Sequence, residues 1–167
     1  MTTTPVRTPR NTSSIWKLII AILACEAIGF TSGLIGSAAM NTWFDNLQKP
    51  SWNPPGYLFA PVWTLLYALM GIAFWLIWKN EIPAANKRSA YVAFALQLFL
   101  NFWWSIIFFR FQSPFFALIE ILLLLLAIIL TIFQFSKISK TAGWLLVPYL
   151  LWVSFASVLN YTIWSLN

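Results

Sequence analysis

The stretch KPSWNPPGYLFAPVWTLLY, residues 49–67, decides the fold prediction for this chain. Pro54 and Pro55 fix their own φ angles and hold the residues before them extended, so that no helix runs through this point. Pro61 instead falls in the first turn of the apolar segment that follows, where a missing N–H costs little. The stretch therefore predicts a stiff, aromatic-rich loop that leads directly into a helix.

The composition on either side of this stretch is that of an integral membrane protein. Of the 167 residues, 60% are hydrophobic and 8% are charged, whereas about a quarter of the residues of a soluble domain are charged. We predict an all-α bundle, one transmembrane domain over residues 15–167, preceded by a disordered polar tail over residues 1–14. The first apolar run is too long for a signal peptide and is predicted to be a retained helix.

Five apolar runs have the length of about 20 residues that a helix needs to cross a bilayer. They are Ile15–Met40, Leu58–Trp78, Ser89–Phe109, Pro114–Phe135 and Ala142–Trp164. One connection is long, Asn41–Tyr57, and is the predicted lid. The other three are short, so neighbouring helices are predicted to pack antiparallel.

The positive charges are distributed unequally between the two predicted membrane faces. The N-terminal side carries eight: Arg7, Arg10, Lys17, Lys79, Lys87, Arg88, Lys137 and Lys140. The opposite side carries two, Lys49 and Arg110. The positive-inside rule then places the N-terminus on the cytoplasmic side, and a bacterial cell membrane is expected. If the protein is eukaryotic, a mitochondrial outer membrane or another organelle membrane is expected instead. The net charge of +6 is attributed to topology and lipid contact, and no nucleic-acid partner is expected.

The sequence lacks the side chains that most catalytic and metal sites use. It contains no histidine and a single cysteine, Cys25, inside the first span. A His-ligated haem, a disulfide framework and a Cys-based metal site within one chain are therefore excluded. We expect no resident metal or cofactor, and no hydrolase or thiol chemistry.

Polar and aromatic residues share faces on three of the spans. On the third, Gln97, Asn101 and Ser105 follow at intervals of four, beside Trp104. The second carries Trp63 and Tyr67 one turn apart, and the fifth carries Trp152, Ala156 and Asn160. Amides inside hydrocarbon are costly unless they are paired, so these faces are predicted to point into the bundle.

Depth brings three of these side chains together. Counted from the loop-side helix ends, Trp63, Asn101 and Trp152 lie at roughly 8, 12 and 18 Å. We predict a pocket for a flat aromatic ligand beneath the long loop, with Phe44 and Trp52 of the loop as apolar anchors. Tyr67 and Gln97, on the inward faces of the second and third spans, are also predicted to bind the ligand. The alternative, that tryptophans fill space and amides bond across helices, stays open.

Other candidates are less specific. Gly29 and Gly33 form a small-residue face on the first span, for which close helix packing is the default and a homodimer seam the alternative. Glu26 and Glu120 are ionisable groups within spans, and such groups are candidates for function or are neutral, hydrogen-bonded acids.

Four segments together resemble the TspO/MBR family of tryptophan-rich sensory proteins, translocator proteins and peripheral-type benzodiazepine receptors. They are TWFDNLQKPSWNPPGYLFAPVWTLLY (42–67), QLFLNFWWSIIFF (97–109), ALIEILL (117–123) and PYLLWVSFASVLNYTIWSLN (148–167). They cover four of the five spans and the long loop in the family's order. Glu120 stands where the family usually has Asp.

The resemblance implies a five-helix, often dimeric bundle that binds porphyrins, notably protoporphyrin IX, and isoquinoline or benzodiazepine drugs. The pocket residues it implies are Phe44, Trp63, Asn101, Trp104, Trp152 and Ala156. It implies that Trp63 and Trp152 are the tryptophans linked to light- and oxygen-dependent porphyrin breakdown. Tyr161 is followed by TIWSLN without Lys or Arg, which argues against cholesterol recognition through the family's sterol motif.

Three functions follow as hypotheses. The first is a membrane sensor that binds tetrapyrroles or other aromatic ligands, at most with slow photo-oxidative degradation. The second is a transporter of porphyrin or other lipophilic compounds, although no inverted repeat or broken helix pair supports alternating access. The third is a scaffolding membrane protein without ligand chemistry.

Overall fold

The computed structural model describes residues 12–37 and 40–167, with side chains over 14–36 and 43–167. Throughout these ranges the regular structure is helical. The helices are α1 (Thr12–Ser37), α2 (Met40–Asn46), α3 (Phe59–Trp78), α4 (Ala84–Ser105), α5 (Pro114–Ile138), α6 (Lys140–Leu145) and α7 (Val147–Leu166). A 3₁₀ turn, Gly56–Leu58, precedes α3, and a π-helical turn, Ile106–Arg110, follows α4.

Five helical segments are long and apolar enough to cross a membrane, and they confirm the predicted all-α integral membrane bundle. They are Ser14–Gly36, Gly56–Trp78, Ala84–Arg110, Pro114–Ile138 and Lys140–Leu166. We call the membrane face at the start of α1 the N-terminal side, and the face beneath residues 43–58 the loop side.

Several helix boundaries differ from the sequence prediction. Helix α1 begins at Thr12, inside the predicted tail, whose residues 1–11 lie outside the described chain. The predicted long loop contains the short helix α2. The third span begins at Ala84, because Pro83 ends the connection and its missing N–H is tolerated just before a helix. The fifth span divides at Leu146, where Pro148 in the first turn of α7 interrupts backbone hydrogen bonding.

The order of the helices around the bundle is α3, α1, α4, α5, and then α7, with α6 closing the ring against α3. Helices α3 and α4 are joined by a short connection, but their backbones do not approach each other closely. The rings of Phe74 and Phe94 lie between them with centroids 4.9 Å apart and hold the two backbones away from each other. Helix α7 likewise packs on α5 and approaches α3 mainly through aromatic side chains.

Two glycines set the close packing of α1 on α3. A Cβ at Gly71 of α3 would lie 2.6 Å from the Cα of Ile22, so only glycine permits this backbone approach. A Cβ at Gly29 of α1 would lie 2.0 Å from the ring of Tyr67. This confirms close packing for Gly29, whereas a Cβ at Gly33 would meet open space. The absence of a side chain at Gly29 leaves room for the Tyr67 ring, whose hydroxyl donates a hydrogen bond to Asn101 of α4.

Candidate functional site: an aromatic cavity beneath the loop

A cavity of about 440 Å³ lies on the loop side, between the residues that follow α2, the end of α4, and α7. It forms where the backbones of α4 and α7 do not approach each other closely. The lining residues are Phe44, Asp45, Lys49, Asn53, Pro54, Pro55, Gly56, Phe59, Trp104, Phe108, Phe109, Trp152, Phe155, Ala156, Leu159, Asn160 and Ile163. Most are aromatic or aliphatic, which is the usual lining of a small-molecule site.

The α4 wall is held in a fixed orientation by hydrogen bonds to α7 and α5. The indole Nε1 of Trp104 donates to Oδ1 of Asn160 at 3.2 Å. The Asn160 Nδ2 donates in turn to the carbonyl of Pro114 at 2.8 Å. The Trp104 ring also stacks on Phe108, with centroids 5.5 Å apart. The π-helical turn after α4 changes the helical register there, and Phe108 and Phe109 both line the cavity.

The opposite wall consists of edge-to-face and tilted rings. Trp152 of α7 contacts Phe59 at 6.0 Å and Phe155 at 5.6 Å between ring centroids. Trp52 of the loop packs on the outer side of Phe155 at 5.8 Å. These contacts fix the indole of Trp152 without using its N–H, for which the described residues provide no hydrogen-bond partner. That N–H remains available to a ligand.

The loop over the cavity is tied down at two points. The ammonium of Lys49 donates to the carbonyls of Phe44 at 2.6 Å and Asp45 at 3.2 Å, and so closes the C-terminal end of α2. The side chain of Asn167 accepts from the backbone N–H of Gln48 at 2.9 Å and donates to its carbonyl at 3.0 Å. The loop is therefore attached to the end of α7, which forms one wall of the cavity.

Four of the nine predicted binding residues line this cavity: Phe44, Trp104, Trp152 and Ala156. The other five, Trp52, Trp63, Tyr67, Gln97 and Asn101, do not. Trp52 is 46% exposed on the outer side of the loop. Of the two tryptophans predicted to react with porphyrin, the structure therefore places Trp152 at the cavity and Trp63 behind its wall.

Asn101 lies one turn deeper than Trp104 and belongs to a buried polar network. The hydroxyl of Tyr67 donates to Asn101 Oδ1, and Asn101 Nδ2 donates to the hydroxyl of Tyr149 at 2.9 Å. Trp63 packs against both tyrosines, with centroid distances of 5.6 Å to Tyr67 and 6.3 Å to Tyr149. The Asn101 amide thus forms hydrogen bonds with two tyrosines through both its oxygen and its nitrogen. A role for Asn101, Tyr67 or Trp63 in ligand binding stays a prediction.

Gln97 lies another turn deeper, with 1% of its surface exposed. Its Nε2 lies 3.8 Å from the sulfur of Met70, and its Oε1 has no hydrogen-bond partner among the described residues. Both carboxyl oxygens of buried Glu120 are likewise without a partner in the described chain. The structure shows no contact between Gln97 and the cavity, and its role in binding stays a prediction.

The sequence prediction omitted several lining residues. Asn160 was noted on the fifth span but was not assigned to the site, although it follows Ala156 at i+4. Phe108 and Phe109 follow Trp104 at i+4 and i+5, and only a π-helical turn brings both to one cavity. Lys49 belongs to the loop, and no sequence pattern indicated that it would line the cavity. Across the described residues no cluster of three or more metal-ligating His, Cys, Asp or Glu side chains occurs.

Comparison with known proteins relates nearly the whole chain to one family. The model of the TspO/MBR family matches residues 21–165. The chain is 46% identical over 153 residues to the tryptophan-rich protein TspO of Chlorobaculum tepidum, covering 92% of this chain and 97% of that protein. It is 44% identical over 154 residues to the protein of the same name from Archaeoglobus fulgidus, with 92% and 99% coverage. It is 40% identical over 128 residues to the human translocator protein, with 75% of each covered.

Proposed function

The chain belongs to the TspO/MBR family, and we propose that it is a membrane sensor that binds a porphyrin-like tetrapyrrole, such as protoporphyrin IX, in the cavity beneath the loop. The observation that carries the proposal is the lining of that cavity. Indoles and phenyl rings from α3, α4 and α7 surround a space of about 440 Å³, within the range of about 300–1,000 Å³ typical of ligand sites. Flat aromatic drugs are expected to compete for the same space.

The walls supply different parts of the recognition. Trp104 and Trp152 offer ring faces and edges to a planar macrocycle. The Trp152 N–H is the donor for a ligand carboxylate. The Lys49 ammonium donates to the carbonyls of Phe44, Asp45 and Leu47, so it contributes positive charge to the rim of the cavity and no free N–H. The small side chain of Ala156 leaves space for the ligand between Trp104 and Trp152.

We also propose that bound porphyrin is slowly degraded under light, with dioxygen as the oxidant. Both oxygen atoms add across one carbon–carbon double bond of the ring, and that bond and the O–O bond then break to leave two carbonyl groups. Trp152 lines the cavity and is the indole placed to exchange an electron with the excited ring. Trp63 lies behind the wall against Tyr67 and Tyr149, so it is expected to act only after Trp152. This order predicts that Trp152→Phe slows degradation more than Trp63→Phe does.

The test is a titration of the purified protein with protoporphyrin IX, first in darkness and then under illumination. Trp emission reports binding, and the porphyrin absorbance reports degradation. Trp152→Phe should bind more weakly and degrade porphyrin more slowly than the wild type. Trp144→Phe is the matched control, because Trp144 is 73% exposed on the outer surface and lies outside the cavity.

Two results would overturn the proposal. Equal quenching and degradation in Trp152→Phe and the wild type would remove the cavity as the site. Porphyrin flux across sealed proteoliposomes that contain the protein, absent from protein-free vesicles, would favour the transporter hypothesis instead.

We further propose that the N-terminal side faces the cytoplasm of a bacterial cell, as its excess of positive charge indicates.

A further inference from the structure

A second, larger groove lies at the opposite end of the bundle from the aromatic cavity. Its volume is about 770 Å³, and it is bounded by the start of α1, the end of α3 and the junction of α5 with α6. It is open and polar, unlike the cavity beneath the loop. We call it the basic groove because Lys17 and Lys79 both line it.

The lysines of the basic groove are positioned by tryptophans. The Lys79 ammonium lies 3.6 Å from the centroid of the Trp75 ring, and the Lys17 ammonium lies 5.7 Å from that of Trp78. The Trp75 indole is itself fixed, since its N–H donates to the carbonyl of Ser14 at 2.8 Å. An indole face contacts one side of an ammonium group and leaves its other side free for an anion.

The charge balance around the groove favours an anion. Buried Lys87 lies outside the lining and donates to the carbonyls of Trp78 and Asn80 at the end of α3. The one carboxylate in the lining is Glu81, which is exposed. In the part of the chain that the structure describes, neither Lys17 nor Lys79 forms an ion pair. In the lining, two positive charges therefore face one negative charge.

Neutral donors complete the lining. Ser139 uses its oxygen to accept from the N–H of Ala142 at 3.3 Å, which leaves its hydroxyl proton free to donate. Ser14 and Asn80 also line the groove. Ammonium, hydroxyl and amide donors suit the several oxygens of a phosphate. Because the groove lies at the ends of membrane-spanning helices, an occupying phosphate lies at headgroup level, with Leu76 and Ile138 on the apolar side.

We propose that the basic groove binds the phosphate of an anionic membrane lipid. Charge argues against the N-terminal tail as the occupant, because residues 1–11 contain two arginines and no carboxylate side chain. A lipid headgroup supplies the missing negative charge, and its acyl chains extend from the side of the groove that Leu76 and Ile138 line. This binding does not depend on the ligand of the aromatic cavity.

The experiment is native mass spectrometry of the full chain with phosphatidylglycerol and phosphatidylcholine offered in equal amounts. The wild type should retain one phosphatidylglycerol in preference to phosphatidylcholine. Each lysine near an anionic lipid contributes about fivefold in affinity, so Lys17→Gln with Lys79→Gln should lower the preference about 25-fold. Arg88→Gln with Lys137→Gln removes two charges from the same membrane side but outside the groove, and should leave the preference unchanged.

The outcomes separate the alternatives. Equal loss in both double variants would show that only the net charge of this side matters, which overturns the site. Displacement of the lipid by inorganic phosphate at millimolar concentration would identify a free-phosphate site and overturn the lipid assignment. Should the groove variant fail to fold, the wild type still decides, because retention of both lipids in equal amounts refutes the proposal.

Discussion

The bundle has a lower half, on the N-terminal side, and an upper half, on the loop side, and the two use aromatic residues in opposite ways. On the N-terminal side, Phe74, Phe94 and Phe135 stack with centroids 4.9 and 5.5 Å apart and fill the core. On the loop side, indole and phenyl rings of α4, of the turn after it and of α7 line a cavity of about 440 Å³. Aromatic content alone therefore does not distinguish a packed core from a binding site in this protein.

The difference follows from what lies between the rings. In the lower half, small residues let the helices close around the stack, as at Gly71 against α1 and at the fully buried Ala73 and Ala142. In the upper half, the rings of Trp104 and Trp152 project from α4 and α7, whose backbones do not approach each other closely. The buried network of Tyr67, Asn101 and Tyr149 separates the two halves. Four predictions test this division, each at a different level.

The largest effect is expected at the close contact between α1 and α3. Gly71→Val places branched carbon atoms where the first added carbon already lies 2.6 Å from the Ile22 backbone. The helices must separate, which should cost about 3 kcal/mol of stability. Thermal unfolding in detergent measures the loss. Gly33→Val is the matched control, since a Cβ there meets open space. An unchanged melting temperature for Gly71→Val would show that the lower half is not packed as described.

The Gly33 control has a second use. If Gly33→Val leaves the melting temperature unchanged but converts a dimer to a monomer on size-exclusion chromatography, the exposed glycine is part of the predicted homodimer seam. An unchanged elution volume would remove Gly33 from that seam.

The next effect is expected in the polar network. Asn101→Leu leaves the hydroxyls of Tyr67 and Tyr149 without their partner, which should cost about 2 kcal/mol of stability. Adding Tyr67→Phe and Tyr149→Phe removes the unpaired groups and should restore most of the loss. Chemical unfolding of the single and triple variants measures both. If the single variant keeps its stability and loses only ligand affinity, Asn101 faces the ligand instead of the tyrosines.

The adjacent tryptophans of α4 test the cavity itself. Trp104→Leu removes a lining indole and should weaken protoporphyrin IX binding by about 1–1.5 kcal/mol, roughly tenfold in Kd. Trp103→Leu alters the neighbouring ring, which is 36% exposed and does not line the cavity, and should leave Kd unchanged. Fluorescence titration measures both. Equal weakening in the two variants would indicate damage to α4 as a whole.

The smallest effect is expected in the loop. Replacing Pro54 and Pro55 by Gly increases the freedom of the unbound loop and should cost about 1 kcal/mol of binding, mainly through a faster off-rate. Pro83→Gly, in the short connection on the other membrane side, should leave the off-rate unchanged. Stopped-flow displacement of porphyrin measures the rates. Limited proteolysis within residues 43–57 should also slow when ligand is present, and an unchanged cleavage rate would show that the loop does not close over the site.

The sequence by itself determined the class of structure and its outline. Apolar runs of bilayer length specify five spans, because only helices satisfy their own backbone hydrogen bonds in hydrocarbon. Depth along the helices predicted Trp152 at the site, and the family resemblance added Trp104 and Ala156; all three line the cavity. The same depth argument included Trp63 and Asn101, which do not line it. The prolines of residues 49–67 were sufficient to predict a stiff loop above it.

Tertiary structure alone decided which polar groups remain for a ligand. Asn101, Trp63 and Tyr67 have the same sequence signal as Trp104, yet Tyr149 of α7 reaches the Asn101 amide and makes it part of the framework. These hydrogen bonds between helices depend on how closely the helices approach. That approach depends on distant features such as Gly29, whose missing side chain leaves room for the Tyr67 ring. The basic groove also depends on the start of α1, the end of α3 and the junction of α5 with α6 meeting at one membrane face, since Lys17 and Lys79 are far apart in the chain. Helix periodicity fixes the face on which a side chain lies, whereas the neighbouring helices fix what it contacts.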